Sequence, residues 1–295
     1  MKKFLTVSLA LIFMFVISIA VNAQKMKAED VIAKHLDSIG TAEVRAALKT
    51  LIAVGPTKQK FTSTADSAVD GRIVIASEAT KIFMGMNMAS PQYPGQRFVF
   101  DGKDSDIALT KQGGRDFLGN FVKDNGSLLK SGIFGGTLST GWLLSNTPSL
   151  KGKLTYEDTK KIDGRDTYVL QFSPKGGSDI DIHLYFDAET FRHVRTEYKR
   201  MTSAPQGVMG KDISNTKSAD NSARQSETRI GLTEDFSDFR AERGVTLPHS
   251  YKISYSYWGN QGSVQCEWTS TLTEFGLNQK FDPATFATSE SPTNR

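Results

Sequence analysis

The chain has 295 residues, 38% hydrophobic and 23% charged, with 36 basic side chains against 32 acidic ones and a single cysteine. That length and apolar content support a real core in one large domain or two ordinary ones, and exclude a multi-span membrane protein, a disulfide-stapled miniprotein and a wholly disordered chain. A net charge of +4 is too small to attract nucleic acid by electrostatics, so no nucleic-acid partner is expected.

The first segment reads as an export signal. Lys2 and Lys3 precede an apolar run over 4–21, and Val21-Asn22-Ala23 closes it before Gln24. A positive end, an apolar middle and a peptidase-like flank predict a signal peptide over 1–23, cleaved after Ala23. The rival is an uncleaved anchor, because the run approaches spanning length. The destination is the periplasm, with the cell exterior second. No cysteine stands at the cleavage site, so no lipid anchor is expected, and Cys266 alone can form no internal disulfide. Cys266 lies on a strand-like alternation between Val264 and Trp268 and reads as a buried, inert thiol.

Two helices follow. Val31, Ile32, Leu36 and Ile39 recur on one side of 28–39, which stops at Gly40. Thr41 can cap a second helix carrying Val44, Ala47, Leu48 and Leu51, with Gly55-Pro56 as its stop. From residue 58 the period changes to two. Strands are expected over 58–64, 72–77, 80–88, 96–101 and 106–112, then over 154–162, 165–173, 179–187, 191–201, 228–240, 245–258 and 263–275. Asp70-Gly71, Asp101-Gly102, Asp163-Gly164, Gly176-Gly177 and Asn260-Gln261-Gly262 supply short turns, and strands so joined must be antiparallel neighbours. A helical or irregular insert falls near 115–144, and a polar segment near 202–227 reads as a mobile loop. No composition break divides the mature part, so 24–295 is expected to form one domain, α+β but mainly antiparallel β.

The usual catalytic signatures are absent. There is no G-x-S-x-G elbow, P-loop, dinucleotide fingerprint or His-Glu-x-x-His. Asp179, Asp181 and His183 share a strand face and could gather a metal for an exported hydrolase. Ile180, Ile182, Leu184 and Phe186 alternate with them, so a half-buried strand with a wet outer face explains the same pattern. Glu234 and Asp235 form a carboxylate pair with no positional partner.

Apolar side chains recur instead on one face of strand after strand. Ile82, Met84, Met86 and Met88 line one such face, and methionine suits a surface that must fit variable apolar ligands as well as it suits ordinary core filling. Phe98 and Phe100, then Tyr168, Leu170 and Phe172, then Tyr251, Ile253, Tyr255 and Tyr257 repeat the arrangement. A sheet this wide needs a cover. The insert offers one in Ile133, Phe134, Leu138, Trp142 and Leu143, interrupted by Gly132, Gly135, Gly136 and Gly141, and so able to shift or to form a fixed plug. Lys123, Lys130, Lys151 and Lys153 flank it as solvated edges or as contacts for anionic head groups.

Four stretches carry a family resemblance. Lys161-Ile162-Asp163-Gly164-Arg165-Asp166-Thr167-Tyr168-Val169-Leu170 resembles a G-x-x-x-Y-x-L hairpin. Tyr185-Phe186-Asp187-Ala188-Glu189-Thr190 before Val194-Arg195 is similar to a D-x-x-T turn. Gly244-Val245-Thr246-Leu247-Pro248-His249 matches a G-hydrophobic-x-hydrophobic-P lead into a late strand, and the tail from Leu277-Asn278 through Phe281-Asp282-Pro283-Ala284-Thr285-Phe286 fits a closing segment. All four are similar to the periplasmic lipoprotein-localisation carriers of the LolA-like fold. The resemblance implies a half-open β-barrel of about eleven antiparallel strands wrapped around helices. It also implies an apolar cavity for acyl chains, no enzymatic activity and no cofactor.

On this reading the protein is a monomeric periplasmic carrier of lipids or lipidated proteins, exchanging with envelope donor and acceptor proteins. The expected ligand-binding residues are Ile82, Met84, Met86, Met88, Phe98, Phe100, Phe134, Leu138, Trp142, Tyr168 and Phe172. The alternative is an envelope scaffold or interaction module whose hollow is filled by its own side chains.

Overall fold

The computed structural model describes residues 26–61, 68–91, 93, 95–109, 117–145, 150, 152–202, 227–259 and 262–288. The expected signal peptide and the polar segment over 203–226 lie outside them.

Two short helices, α1 (Ala28–Ile39) and α2 (Ala42–Ala47), lead into five strands: β1 (Thr50–Phe61), β2 (Ala68–Glu78), β3 (Lys81–Met88), β4 (Gly95–Phe100) and β5 (Ser105–Leu109). The insert holds α3 (Phe117–Asp124), α4 (Ser127–Lys130) and a single tight turn at Gly136–Leu138. Strands then resume with β6 (Gly152–Ile162), β7 (Arg165–Pro174), β8 (Asp181–Asp187), β9 (His193–Thr202), β10 (Thr228–Glu242), β11 (Val245–Gly259), β12 (Gly262–Thr271) and β13 (Glu274–Leu277).

All thirteen strands belong to one sheet, in the order β5-β4-β3-β2-β1-β12-β11-β10-β9-β8-β7-β6, with β13 beside β1. Chain neighbours pair antiparallel, as short turns require; Asp163 and Gly164, at φ 49° and 82°, turn β6 back into β7. The two meanders meet where β1 pairs with β12. Among the described residues β5 and β6 do not pair, so the sheet is open there, and the insert runs between these two strands in sequence. Residues from both wings, such as Met84 and Phe98 on one side and Phe172 and Ile182 on the other, fall in one continuous core.

Three expectations are corrected. Asp70-Gly71, expected to be a turn, lies within β2 opposite Lys58 and Thr57. Among the described residues the strands number thirteen rather than about eleven: each of the twelve alternating stretches forms a strand, and the one over 263–275 divides at Leu272-Thr273 into β12 and β13. The second helix ends at Ala47, and Leu51 belongs to β1, which runs through Gly55-Pro56. Packing outweighs the breaker signal here. Leu51 and Ala53 are fully buried in a period of two, and Gly55-Pro56 falls where the partner of β1 changes from β13 to β12. Pro56 has no N–H to give at that break. A side chain at Gly55 would stand 1.9 Å from the Thr271 carbonyl oxygen, so only glycine lets the two backbones approach.

Candidate functional site

The methionine strand sits where its alternation places it. Ile75, Met84, Phe98 and Ile107 are direct partners across β2–β5 and form one apolar row, with Met86 beside Ile73 in the next. Ile82, Met84, Met86, Met88, Phe98, Phe100 and Phe172 are all buried. So are the insert's Phe134, Leu138 and Trp142. The Phe134 ring lies 5.8 Å from that of Phe98, and Gly135 rests on Ile82 and Met84. The hollow of the sheet is thus occupied by the chain's own insert. Tyr168 stands apart, half-buried, with ring contacts to Phe191 at 5.4 Å and Tyr156 at 6.4 Å.

The insert is held by polar anchors as well as by apolar contact. Glu234 on β10 shares the inward register with Leu232 and Phe236 and is completely buried. Its carboxylate accepts from the Gly135 N–H at 2.7 Å, the Tyr198 hydroxyl at 2.6 Å and the Tyr251 hydroxyl at 2.5 Å. Burial pushes its pKa up to about 7, against the pull of those three donors. Burial raises both tyrosines well above their ordinary value, and the Glu234 charge adds to this.

A second anchor joins the insert to α1. The Trp142 indole donates to His35 Nε2 at 3.0 Å, while His35 Nδ1 donates to the Phe191 carbonyl at 3.0 Å. That pair of bonds fixes His35 as the neutral Nδ1–H tautomer, and burial lowers its pKa to about 4. His193 stacks on Trp142 at 4.8 Å, and burial, then the nearby His35, hold its pKa well below the ordinary value. The Thr140 N–H donates to Ser77 Oγ at 2.9 Å and its hydroxyl to the Ala79 carbonyl at 3.0 Å.

His35 and His193 are thus anchoring residues that pattern reading passed over, and Glu234 is one that it saw only as half of a carboxylate pair. A carboxylate at an apolar-register position of a strand is a visible signal, but its donors come from β9, β11 and a loop 99 residues away. Asp235 points the other way, to Arg195 at 2.5 Å and Lys252 at 3.6 Å, so the two carboxylates do not act together.

The Asp179, Asp181 and His183 group does not converge. Asp179 precedes β8 and faces Arg200 at 3.7 Å, while His183 keeps Asp181 at 3.7 Å from Nδ1 and Glu157 at 2.9 Å from Nε2, so only two of the three meet. Among the described residues, no group of three or more His, Cys, Asp and Glu side chains could hold a metal ion. Cys266 is buried.

Several clefts open on the surface: Phe100 and Trp142 line one beside Thr80 and Lys130, and Trp142 lines another beside α2. A cleft of about 290 Å3 opens between α3 and the tips of β9–β12, lined by Phe117, Phe121, Ile230, Tyr255, Tyr257 and Val264, with Arg200 and Asp124 at the lip. Phe117 stacks on Tyr255 at 6.2 Å, and Phe121 meets the same ring edge-on at 6.1 Å. None of the predicted ligand-binding residues lines this cleft. No helix of the described chain is long and apolar enough to cross a membrane.

No protein-family model matches the sequence. No curated protein matches it either. The fold is similar to solved structures. A LolA superfamily protein from Nitrosomonas europaea has 14% identity and a TM-score of 0.46, over 89% of this chain and 98% of that one. A DUF1329 family protein from Desulfovibrio piger has 11% identity and a TM-score of 0.44, over 88% and 96%. An outer membrane lipoprotein-sorting protein domain from Vibrio parahaemolyticus has 11% identity and a TM-score of 0.38, over 86% and 97%.

Proposed function

We propose that the chain is an exported, non-catalytic binding or carrier protein of the periplasm that takes acylated or amphiphilic ligands through the cleft between α3 and the tips of β9–β12. The observation that carries this reading is the cleft itself, an apolar, aromatic-walled opening beside α3. An alkyl segment entering it gains about 0.8 kcal/mol per buried methylene. Arg200 at the lip suits an anionic head group. A longer chain would displace Phe134, which stands between two glycines at positive φ, and Leu138 just beyond Gly136.

A second reading, an envelope scaffold with a self-filled core, is favoured by the anchors at Glu234, His35 and Ser77, which tie the insert down. Titration with a dansylated fatty acid separates the two. Saturable binding, displaced by unlabelled fatty acid and weakened at least about tenfold in Tyr257→Asp, supports the carrier. No saturable binding by the folded wild-type chain would leave the scaffold.

A further inference from the structure

Three large apolar side chains are exposed among the described residues: Phe117 at 46%, Met201 at 62% and Trp258 at 59%. All three stand at one end of the sheet. Met201, Arg229 and Trp258 are direct partners across β9, β10 and β11, so they project from the same face of the strand tips. Arg200, Ile230 and Tyr257 form the adjacent row and point to the opposite face, into the cleft, where Phe117 closes the far wall. The rim thus carries an apolar pair with an arginine between them outside, and an arginine at an apolar lip inside.

We infer that this rim docks onto the surface of a bilayer containing anionic lipid. Tryptophan settles at head-group depth, with its ring in the acyl boundary and its N–H towards water. Arginine carries an apolar stem and a guanidinium that matches a phosphate with two hydrogen bonds. The guanidiniums of Arg229 and Arg200 rest on Glu227 at 2.7 Å and Asp179 at 3.7 Å. Arg229 and its partner Glu227 are both well exposed, and Asp179 is largely so, so lipid phosphates can replace these acids at little cost.

The backbone of the tips is already paired, Met201 with Arg229, Arg229 with Trp258 and Trp258 with Ser263, so shallow immersion strands few amides. A second copy of the chain is the poorer occupant. Three side chains of about 150–250 Å2 each fall short of the roughly 800 Å2 per partner that a stable protein interface needs.

Tryptophan fluorescence tests the inference, because Trp142 and Trp268 are buried at 2% and 1% and Trp258 alone reports the rim. The mature chain is mixed with phosphatidylethanolamine vesicles containing phosphatidylglycerol, with and without brominated acyl chains. Co-sedimentation with these vesicles, quenching by the brominated chains, and loss of that quenching in Trp258→Phe are the expected results. Met201→Ser combined with Arg229→Gln should weaken vesicle binding about tenfold and leave urea unfolding and dansylated fatty-acid binding as they were. Folded protein that stays off the vesicles, vesicle binding untouched by the paired substitution, or self-association that the same substitution abolishes would each overturn it. Vesicle binding without fatty-acid binding keeps the rim and ends the ligand reading; the reverse result ends the rim alone.

Discussion

Glu234 couples the core to pH. Its carboxyl titrates at about 7 in the folded chain against an ordinary 4.5. Between those values the folded state holds a proton that the unfolded state has lost. Its contribution is therefore most favourable below about pH 4.5 and is lost as pH rises through 7. His35 runs the other way. Its pKa falls from 6.5 to about 4 on folding, so its contribution is complete above pH 6.5 and is lost as pH falls through 4. The two slopes oppose each other over nearly the same interval, and His193, also held low by burial, adds to the second. Glu234→Gln removes one of them. Relative to wild type, the variant should gain up to about 3 kcal/mol in urea unfolding between pH 5 and pH 8. A stability difference that stays level across that interval would show that Glu234 titrates as an ordinary surface carboxyl.

At the level of single elements, the insert is the part most exposed to precise backbone demands. Gly132 sits at φ 72°, where a Cβ would stand 1.9 Å from the Gly141 carbonyl oxygen, and its own carbonyl accepts from the Leu143 N–H at 3.0 Å. Gly132→Ala forces both a strained dihedral and a backbone clash, and should cost at least about 2 kcal/mol. A lower urea midpoint and red-shifted emission from Trp142 are the expected signs. The same elements show what pattern reading can reach. The period of two on β3 and the apolar content of the insert were legible because they are local. The anchors of the insert were not, since Ser77, His35 and Glu234 are brought to it by three different parts of the chain. Gly55-Pro56 misled for a related reason. A breaker pair ends a helix in isolation, but here the backbone needed both a close approach and a missing donor at a partner change far along the sequence.

Taken as a whole, the sheet is two local meanders joined along β1, which pairs with both β12 and β13. Hairpins such as β6–β7 and β10–β11 are contiguous in sequence, which is why strand order within each wing could be read in advance. The junction could not. Thr57 of β1 faces Ser270 of β12 across 213 residues. A long loop must close before that contact gains anything, so refolding is expected to take milliseconds to seconds rather than microseconds, and stopped-flow fluorescence measures it.

β13 has a further consequence. It supplies the second partner of Leu51, Ile52, Ala53 and Val54, while Lys49 and Thr50 are tied to Asn278 and Gln279 just beyond it. A chain ending at Thr271 would keep β2 on one flank of β1 and β12 on part of the other, but would turn Leu51, Ile52, Ala53 and Val54 into bare edge. Unsatisfied amides beside Leu51 and Ala53 then become a template for the same stretch of another molecule. Size-exclusion chromatography of the truncated chain should therefore show growing assemblies at micromolar concentration where the full chain shows none. The last strand would then act less as a share of the core than as a guard against strand-by-strand polymerisation.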